Sequence, residues 1–164
     1  MNIITALAIS IGLLAAVATW LCLGSGLGLQ VWALFIAWGS FYHTGGKAEG
    51  LRKSVINHLW GVAVAGVTLF VVATVGGSVI VTSAIVGVSV VVLVLGAHLP
   101  VLATIPAAVY GYASTAAFCL LTSVAIGDPA ALLKACGIVS ASLVIGNVFG
   151  LVSEKLAGVL AKPA

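Results

Sequence analysis

Charged residues are almost absent from this sequence. Of its 164 residues, six are Lys or Arg and three are Asp or Glu, so 5% are charged while 63% are hydrophobic. Soluble domains carry about 25% charged residues, and a chain with so few cannot cover a surface that faces water. Intrinsic disorder is excluded too, because it needs low hydrophobicity and high charge. The composition predicts one integral membrane domain over residues 1–164, with the lipid bilayer as its surroundings.

Acids and cysteines are also scarce, and this limits the chemistry that the chain can support. The acids are Glu49, Asp128 and Glu154. All three fall at predicted water boundaries, which leaves no carboxylate pair or proton relay inside the membrane. The three cysteines stand singly, without CxxC spacing, and form neither a disulfide framework nor a metal motif. We therefore expect no enzymatic activity, no cofactor and no metal, and a formal net charge of +3 is too small for nucleic-acid binding.

Long apolar runs separated by glycine- and proline-containing turns indicate the architecture. A membrane helix needs about 20 apolar residues, and runs that do not alternate with polar residues favour helices over a barrel. The candidate spans are approximately 3–23, 28–43, 54–75, 78–98, 102–125 and 132–152. The sequence therefore predicts an all-α, polytopic transmembrane bundle of about six spans.

The two halves of the chain resemble each other faintly. The stretch Ala37–Phe41 can be aligned with Val109–Ala113, and Gly50–Lys53 with Ala131–Lys134. Because each half has three spans, an odd number, a true repeat would be inverted in the membrane, as in many transport folds. The alternative is that glycine, alanine and aromatic residues recur in any helical membrane protein.

Basic residues predict the orientation of the bundle. They follow the second span at Lys47, Arg52 and Lys53 and the sixth at Lys155 and Lys162. Short loops rich in Lys and Arg face the cytoplasm, so both termini are predicted to be cytoplasmic. Lys47, Glu49, Arg52 and Lys53 fall in the predicted cytoplasmic loop or in the first turn of the third span. We interpret this loop as an orientation signal that contacts lipid headgroups, with a solute gate as the alternative.

Uncharged polar residues inside the spans are the candidates for a solute path. They are Asn57, His58, Tyr110, Ser114 and Asn147. Polar groups are costly in hydrocarbon and usually face the interior of a bundle. Asn57 and His58 are predicted either to line a vestibule or to form interhelical hydrogen bonds, and Asn147 is either a helix clamp or a pore-lining amide. Pro106 is predicted to kink the fifth span and free a carbonyl, either beside a binding site or for packing alone.

A family resemblance rests on one region of the chain. The motifs are Trp32–Phe35 with Trp38 and Phe41, then Gly45–Lys47, Gly50–Lys53 and Asn57–Gly61. With these motifs the chain resembles DUF1097, a family of small bacterial inner-membrane proteins of unknown function. The resemblance implies a bacterial inner-membrane location and supplies no functional residues.

The sequence features favour one function over another. A chain without an extramembrane domain, with uncharged polar residues in its spans, is predicted to be a channel or facilitated transporter for a small polar or neutral solute and to form a homo-oligomer. The lack of an acid in mid-membrane favours passive flux. The alternative is a structural or accessory subunit of a membrane complex, in which polar residues only hold helices together.

Overall fold

The computed structural model describes residues 1–161, so Lys162 of the predicted basic tail lies outside the described residues. The helices are α1 Ile3–Gly24, α2 Val31–His43, α3 Lys47–Val75, α4 Val79–Leu95, α5 Ile105–Leu121 and α6 Pro129–Leu160. Two 3₁₀ turns, Gly96–His98 and Pro100–Leu102, connect α4 to α5. No strand occurs within residues 1–161. The predicted all-α helical bundle is confirmed.

The helices differ in whether they are long enough to cross a membrane. Within residues 1–161, four apolar segments have the length and composition to do so: Ile3–Gly24, Lys47–Val75, Val79–His98 and Pro129–Leu160. The chain is therefore a membrane protein. Helix α5 has 17 residues and α2 has 13, and at 1.5 Å per residue α2 is only about 20 Å long. All six predicted segments are helical, but six complete crossings stay a prediction.

The two short helices begin later than predicted, for local reasons. Before α2, Gly26 and Gly28 have positive φ angles and Gln30 is extended, so the chain is not helical until Val31. Pro106 lies in the first turn of α5, where its missing N–H costs no hydrogen bond. It therefore starts the helix and does not kink it.

Helix α3 begins at Lys47 and not near residue 54 as predicted, so the four charged residues are helical and do not lie in a loop. Lys47, Glu49, Arg52 and Lys53 lie in its first two turns. Glu49 pairs with Arg52 at 3.1 Å and with Lys53 at 3.6 Å, contacts that suit a helix surface.

The third helices of the two halves, α3 and α6, lie antiparallel in the centre. Gly46, just before α3, adjoins Glu154 near the end of α6, and Gly66 adjoins Cys136 near the start of α6. Helix α2 packs mainly on α6, and α5 packs mainly on α3. The second helix of each half therefore packs on the third helix of the other half.

Matching contacts at the two interfaces show that this arrangement is a repeat. The Gln30 N–H donates to Ser142 Oγ at 2.9 Å, and the Thr104 N–H donates to Asn57 Oδ1 at 3.2 Å. Four residues farther along each of these four segments, a glycine contacts a main-chain carbonyl. Gly146 contacts the carbonyl of Leu34, and Gly61 contacts that of Ala108. Because α3 and α6 are antiparallel, the two halves are inverted relative to each other.

The observed register differs from the predicted alignment. These contacts make Gln30 equivalent to Thr104 in the repeat, and therefore Ala37 equivalent to Gly111. The sequence alignment had paired Ala37 with Val109. In the third helices, the same contacts make Asn57 equivalent to Ser142 and therefore Gly50 equivalent to Ala135. The sequence alignment had paired Gly50 with Ala131. The predicted repeat is present, but the short motif that suggested it was aligned out of register.

Candidate functional site

Two polar side chains meet between the central helices. Asn147 of α6 donates from Nδ2 to Nδ1 of His58 in α3 at 3.0 Å and to the carbonyl oxygen of Leu143 at 2.9 Å. Both His58 and Asn147 are fully buried. His58 lies between Asn57 and Gly61, and Asn147 follows Gly146, so the pair lies where the second helix of each half contacts the opposite third helix. The structure thus brings together two residues that the sequence placed in different spans.

Three polar atoms around this level have no hydrogen-bond partner among the described residues. They are His58 Nε2, Asn147 Oδ1 and Ser114 Oγ. Ser114, in α5, is 1% exposed. Buried polar atoms are nearly always paired in proteins, and leaving one unpaired in an apolar medium costs about 1–3 kcal/mol. Of the four buried candidates, these three therefore have unused hydrogen-bonding capacity, whereas Asn57 does not.

Helix α5 reaches His58 through a close contact. A Cβ atom at Gly111 would collide with the main-chain carbonyl of His58. The preceding residue, Tyr110, has its ring centroid 6.5 Å from that of His58. Tyr110 is thereby the side chain that joins the buried pair to the surface of α5.

A cavity of about 330 Å³ lies between α2 and α5. Its lining includes Ser40 and His43 from α2 and Tyr110 and Ala113 from α5. The Tyr110 hydroxyl is 3.4 Å from His43 Nδ1. Tyr110 consequently faces the cavity while it packs beside His58. Two larger cavities, of about 540 and 650 Å³, open along α3 among mainly apolar side chains.

Sequence reasoning missed the parts that α2 contributes. Neither His43 nor Ser40 was among the predicted candidates. In the structure Ser40 lines the cavity and its hydroxyl is 2.8 Å from that of Ser54. A lone serine in an apolar helix carries no signal, because only the packing of α2 on α3 shows that two hydroxyl groups meet.

Asn57 stands apart from the other candidates because its side chain is fully engaged. Its amide nitrogen donates to the carbonyl oxygens of Lys53 and Val101 at 2.8 and 3.2 Å, and its Oδ1 accepts from the Thr104 N–H. It holds the connection between α4 and α5 against α3. Of the two predicted roles of Asn57, these contacts are those of a helix clamp.

A second hydrogen-bonded clamp joins α2 to α6 and was not predicted. Ser153 Oγ accepts from the indole N–H of Trp38 at 2.9 Å and lies 2.7 Å from the Tyr42 hydroxyl. Ser153 also donates to the carbonyl oxygen of Gly150 at 2.8 Å. This cluster satisfies two aromatic polar groups inside the bundle.

The charged residues at the start of α3 do not contact the buried pair. Glu49, Arg52 and Lys53 have side chains that are about half exposed and pair with each other. The Lys47 N–H donates to Glu154 Oε2 at 2.7 Å. Within residues 1–161, no group of three or more His, Cys, Asp or Glu side chains is placed to hold a metal ion.

Comparison with known proteins bears on the family alone. A family model described as "Protein of unknown function (DUF1097)" matches residues 8–158, which confirms the resemblance predicted from the sequence. No curated protein and no solved structure matches the chain.

Proposed function

The chain belongs to the DUF1097 family, and we propose that it is a membrane channel or facilitator for a small polar or neutral solute. The observation that carries this proposal is the group of buried, unpartnered polar atoms on His58, Asn147 and Ser114. Packing alone would be served better by apolar side chains at these positions. A solute that passes through would satisfy these atoms.

The cavity between α2 and α5 supports a route to this group. Its volume of about 330 Å³ is at the lower end for ligand pockets, which suits a small solute. Tyr110 lines the cavity and lies beside His58. The route runs from the cavity past the Tyr110 ring to the His58–Asn147 pair, and rotation of that ring opens it.

The position of the charges supports passive flux without catalysis. Glu49 pairs with Arg52, Glu154 binds the start of α3, and Asp128 caps α6 by accepting from the Ala130 N–H at 3.0 Å. All three carboxylates therefore lie at helix ends. We propose no enzymatic activity and no coupling to protons or sodium, because no carboxylate lies along the proposed path.

We also propose a membrane location, an orientation and an oligomeric state for the protein. Lys47, Arg52 and Lys53 lie at the end of the bundle that holds the last two turns of α6, with Glu154 and Lys155. With positive residues inside, this end faces the cytoplasm of a bacterial inner membrane, and both termini are cytoplasmic. The protein functions as a homo-oligomer.

A second candidate function is that of an accessory membrane subunit. The clamps at Ser153 and Asn57 favour it, because they show polar groups of this chain acting only to join helices. In this case the His58–Asn147 hydrogen bond is a third clamp, and the chain has a heterologous partner.

Solute flux into proteoliposomes tests the proposal. Purified protein is reconstituted and stopped-flow light scattering follows swelling with glycerol, urea, acetamide, methylammonium and formate. We expect acceleration for at least one solute, reduced about tenfold in Asn147→Leu, as the loss of one or two hydrogen bonds to the solute requires. Thr74→Val, an exposed polar-to-apolar change near the end of α3, is the matched control and leaves flux unchanged. A folded protein that accelerates none of the solutes would overturn the channel and favour the accessory subunit.

A further inference from the structure

Two connections of the chain are anchored to the central helices. The first connection, residues 25–30 between α1 and α2, ends at an N–H that donates to Ser142 of α6 at 2.9 Å. The second connection, residues 96–104 between α4 and α5, ends at an N–H that donates to Asn57 of α3 at 3.2 Å. Each connection is therefore held against one point of a long helix.

The two anchor points, Asn57 and Ser142, lie at nearly the same depth in the bundle. Gly66 of α3 adjoins Cys136 of α6, and these two helices are antiparallel. Asn57 precedes Gly66 by nine residues and Ser142 follows Cys136 by six, so both lie in the same direction from that contact. At 1.5 Å per residue, their depths differ by about 5 Å. The two connections therefore face each other across one level of the bundle.

Helices α1 and α2 form a hairpin on one side of this level. Helix α2 leads from the first connection toward the end of α6, where the Tyr42 hydroxyl is 2.7 Å from Ser153 Oγ. Helix α1 packs alongside it, because Ala18 belongs to the same apolar cluster as Leu34 and Trp38. The chain consequently enters and leaves this hairpin at the same end of the bundle.

Helices α4 and α5 form a hairpin on the other side of the level. The Trp60 indole N–H donates to the carbonyl oxygen of Leu93 at 3.1 Å, which places the last turn of α4 near the level of the connections. Helix α5 leads back to the end of α3, where Gly127 adjoins Ala73. Of the helices within residues 1–161, α3 and α6 are therefore the two that continue through the level.

Charged residues place this level near the centre of a bilayer. Glu154 follows Ser142 by twelve residues and Asp128 precedes it by fourteen, distances of about 18 and 21 Å along a helix. Hydrocarbon about 30 Å thick fits between these two carboxylates with Ser142 near its middle. Neither connection contains an acidic residue, a lysine or an arginine, as a position inside the membrane requires.

Polar side chains of the central helices satisfy the backbone of the connections at this depth. Non-helical backbone inside a membrane needs hydrogen-bond partners, since lipid supplies none. Ser142 accepts from the Gln30 N–H, and Asn57 accepts from the Thr104 N–H. Asn57 also donates to the carbonyl oxygen of Val101 at 3.2 Å. Both buried polar residues thus serve a connection that turns inside the membrane.

We propose that α1–α2 and α4–α5 are two re-entrant hairpins, which enter the bilayer from opposite sides and turn back at its centre, while α3 and α6 cross it. This arrangement replaces the six crossings expected from the apolar runs and keeps both termini on one side. It does not depend on the proposed function. It brings helix ends to the depth at which solute sites lie in transporters with inverted repeats.

Depth-dependent fluorescence quenching tests the arrangement in liposomes. A fluorescent amino acid is introduced by codon suppression at Leu27 or Leu99, which lie one in each connection and are 64% and 58% exposed. The lipids carry a nitroxide either deep in the acyl chain or near the headgroup. We expect stronger quenching by the deep nitroxide at both positions. Ser78, in the connection after α3, and Val159, near the end of α6, are the controls, and there the shallow nitroxide quenches more strongly.

Stronger quenching by the shallow nitroxide at Leu27 and Leu99 would place both connections at membrane surfaces and overturn the proposal, whether or not the protein transports a solute. Hydrogen exchange of the unmodified protein in lipid nanodiscs is the second measurement, because it needs no substitution. We expect residues 25–30 and 96–104 to exchange more slowly than residues 76–78. Equal exchange in all three connections would also contradict the re-entrant hairpins.

Discussion

Gly61 of α3 lies against the main-chain carbonyl of Ala108 in α5, in the space that a Cβ atom would need. Gly146 of α6 stands in the same relation to the carbonyl of Leu34 in α2. Small residues let helix backbones approach closely in membranes, where no hydrophobic effect drives helices together. These two contacts, like that of Gly111 with the His58 carbonyl, thus join the two halves at positions that accept glycine only.

Alanine at either position should weaken the bundle. Gly61→Ala and Gly146→Ala each place a methyl group against a carbonyl that cannot rotate away, so we expect the free energy of unfolding to fall by about 3 kcal/mol. Circular dichroism during unfolding in mixed detergent micelles measures this.

The matched control is Gly137→Ala, also in α6, where a Cβ atom meets nothing within 4 Å. Alanine there should stabilise the helix by about 0.5–1 kcal/mol. Equal stability of the Gly61→Ala and Gly137→Ala proteins would mean that α3 and α5 do not pack as closely as the structure shows.

Removing the Ser153 hydroxyl should leave the Trp38 indole N–H without an acceptor. Trp38 is buried, so Ser153→Ala is expected to cost about 1–2 kcal/mol of unfolding free energy. A double-mutant cycle with Trp38→Phe isolates this bond. If the effects of the two changes simply added, the hydrogen bond at 2.9 Å would contribute nothing to stability.

More of the fold than of the candidate site could be predicted from the sequence. Apolar runs and their glycine and proline boundaries determined all six helical segments, because length and hydropathy are local properties of the chain. The start of α3 could not be found this way. It depends on Glu154, more than a hundred residues away, which accepts from the Lys47 N–H.

The candidate site, like the start of α3, depends on contacts between residues that are far apart in the sequence. Depth in an apolar run identified His58 and Asn147 individually, and the structure joins them. Asn57 has the same residue type as Asn147, yet its amide is saturated while Asn147 Oδ1 is free. Only the positions of main-chain carbonyls and N–H groups on other helices separate the two, and no local pattern encodes those.

Loss of the Glu154 carboxylate should loosen the start of α3. Gly45, Gly46 and Lys47 all have positive φ angles, and the turn that they form is held by the bond from the Lys47 N–H to Glu154. We expect Glu154→Ala to cost about 0.5–2 kcal/mol, as for loss of a helix cap, and to speed hydrogen exchange at Lys47. Glu49→Ala, which removes exposed ion pairs only, should change stability by less than about 1 kcal/mol. Equal exchange at Lys47 in both variants would contradict the role of Glu154.

Substitution of Asn57 should affect stability through the α4–α5 connection. Asn57→Leu leaves the Thr104 N–H and the Val101 carbonyl without their partner, and we expect a loss of about 1–3 kcal/mol. Asn57→Asp keeps the acceptor for Thr104 but turns a carboxylate oxygen toward the carbonyls of Lys53 and Val101, so it should lose at least as much. Thermal unfolding in detergent ranks the three proteins. A leucine variant as stable as the wild type would rule out the clamp.

Substitution of Ser114 should lower flux without lowering stability, in contrast to substitution of Asn57. Its buried hydroxyl has no partner within residues 1–161, so Ser114→Ala removes an uncompensated polar group and should leave the unfolding free energy unchanged or raise it by up to about 1 kcal/mol. If the hydroxyl contacts the solute, the same change lowers solute flux several-fold, since one hydrogen bond of about 1 kcal/mol is lost. Flux and unfolding are measured on the same preparation, with Ser83→Ala, an exposed serine of α4, as control. A Ser114→Ala protein that loses stability instead would show that the hydroxyl already has a structural partner, and its place on the solute path would be wrong.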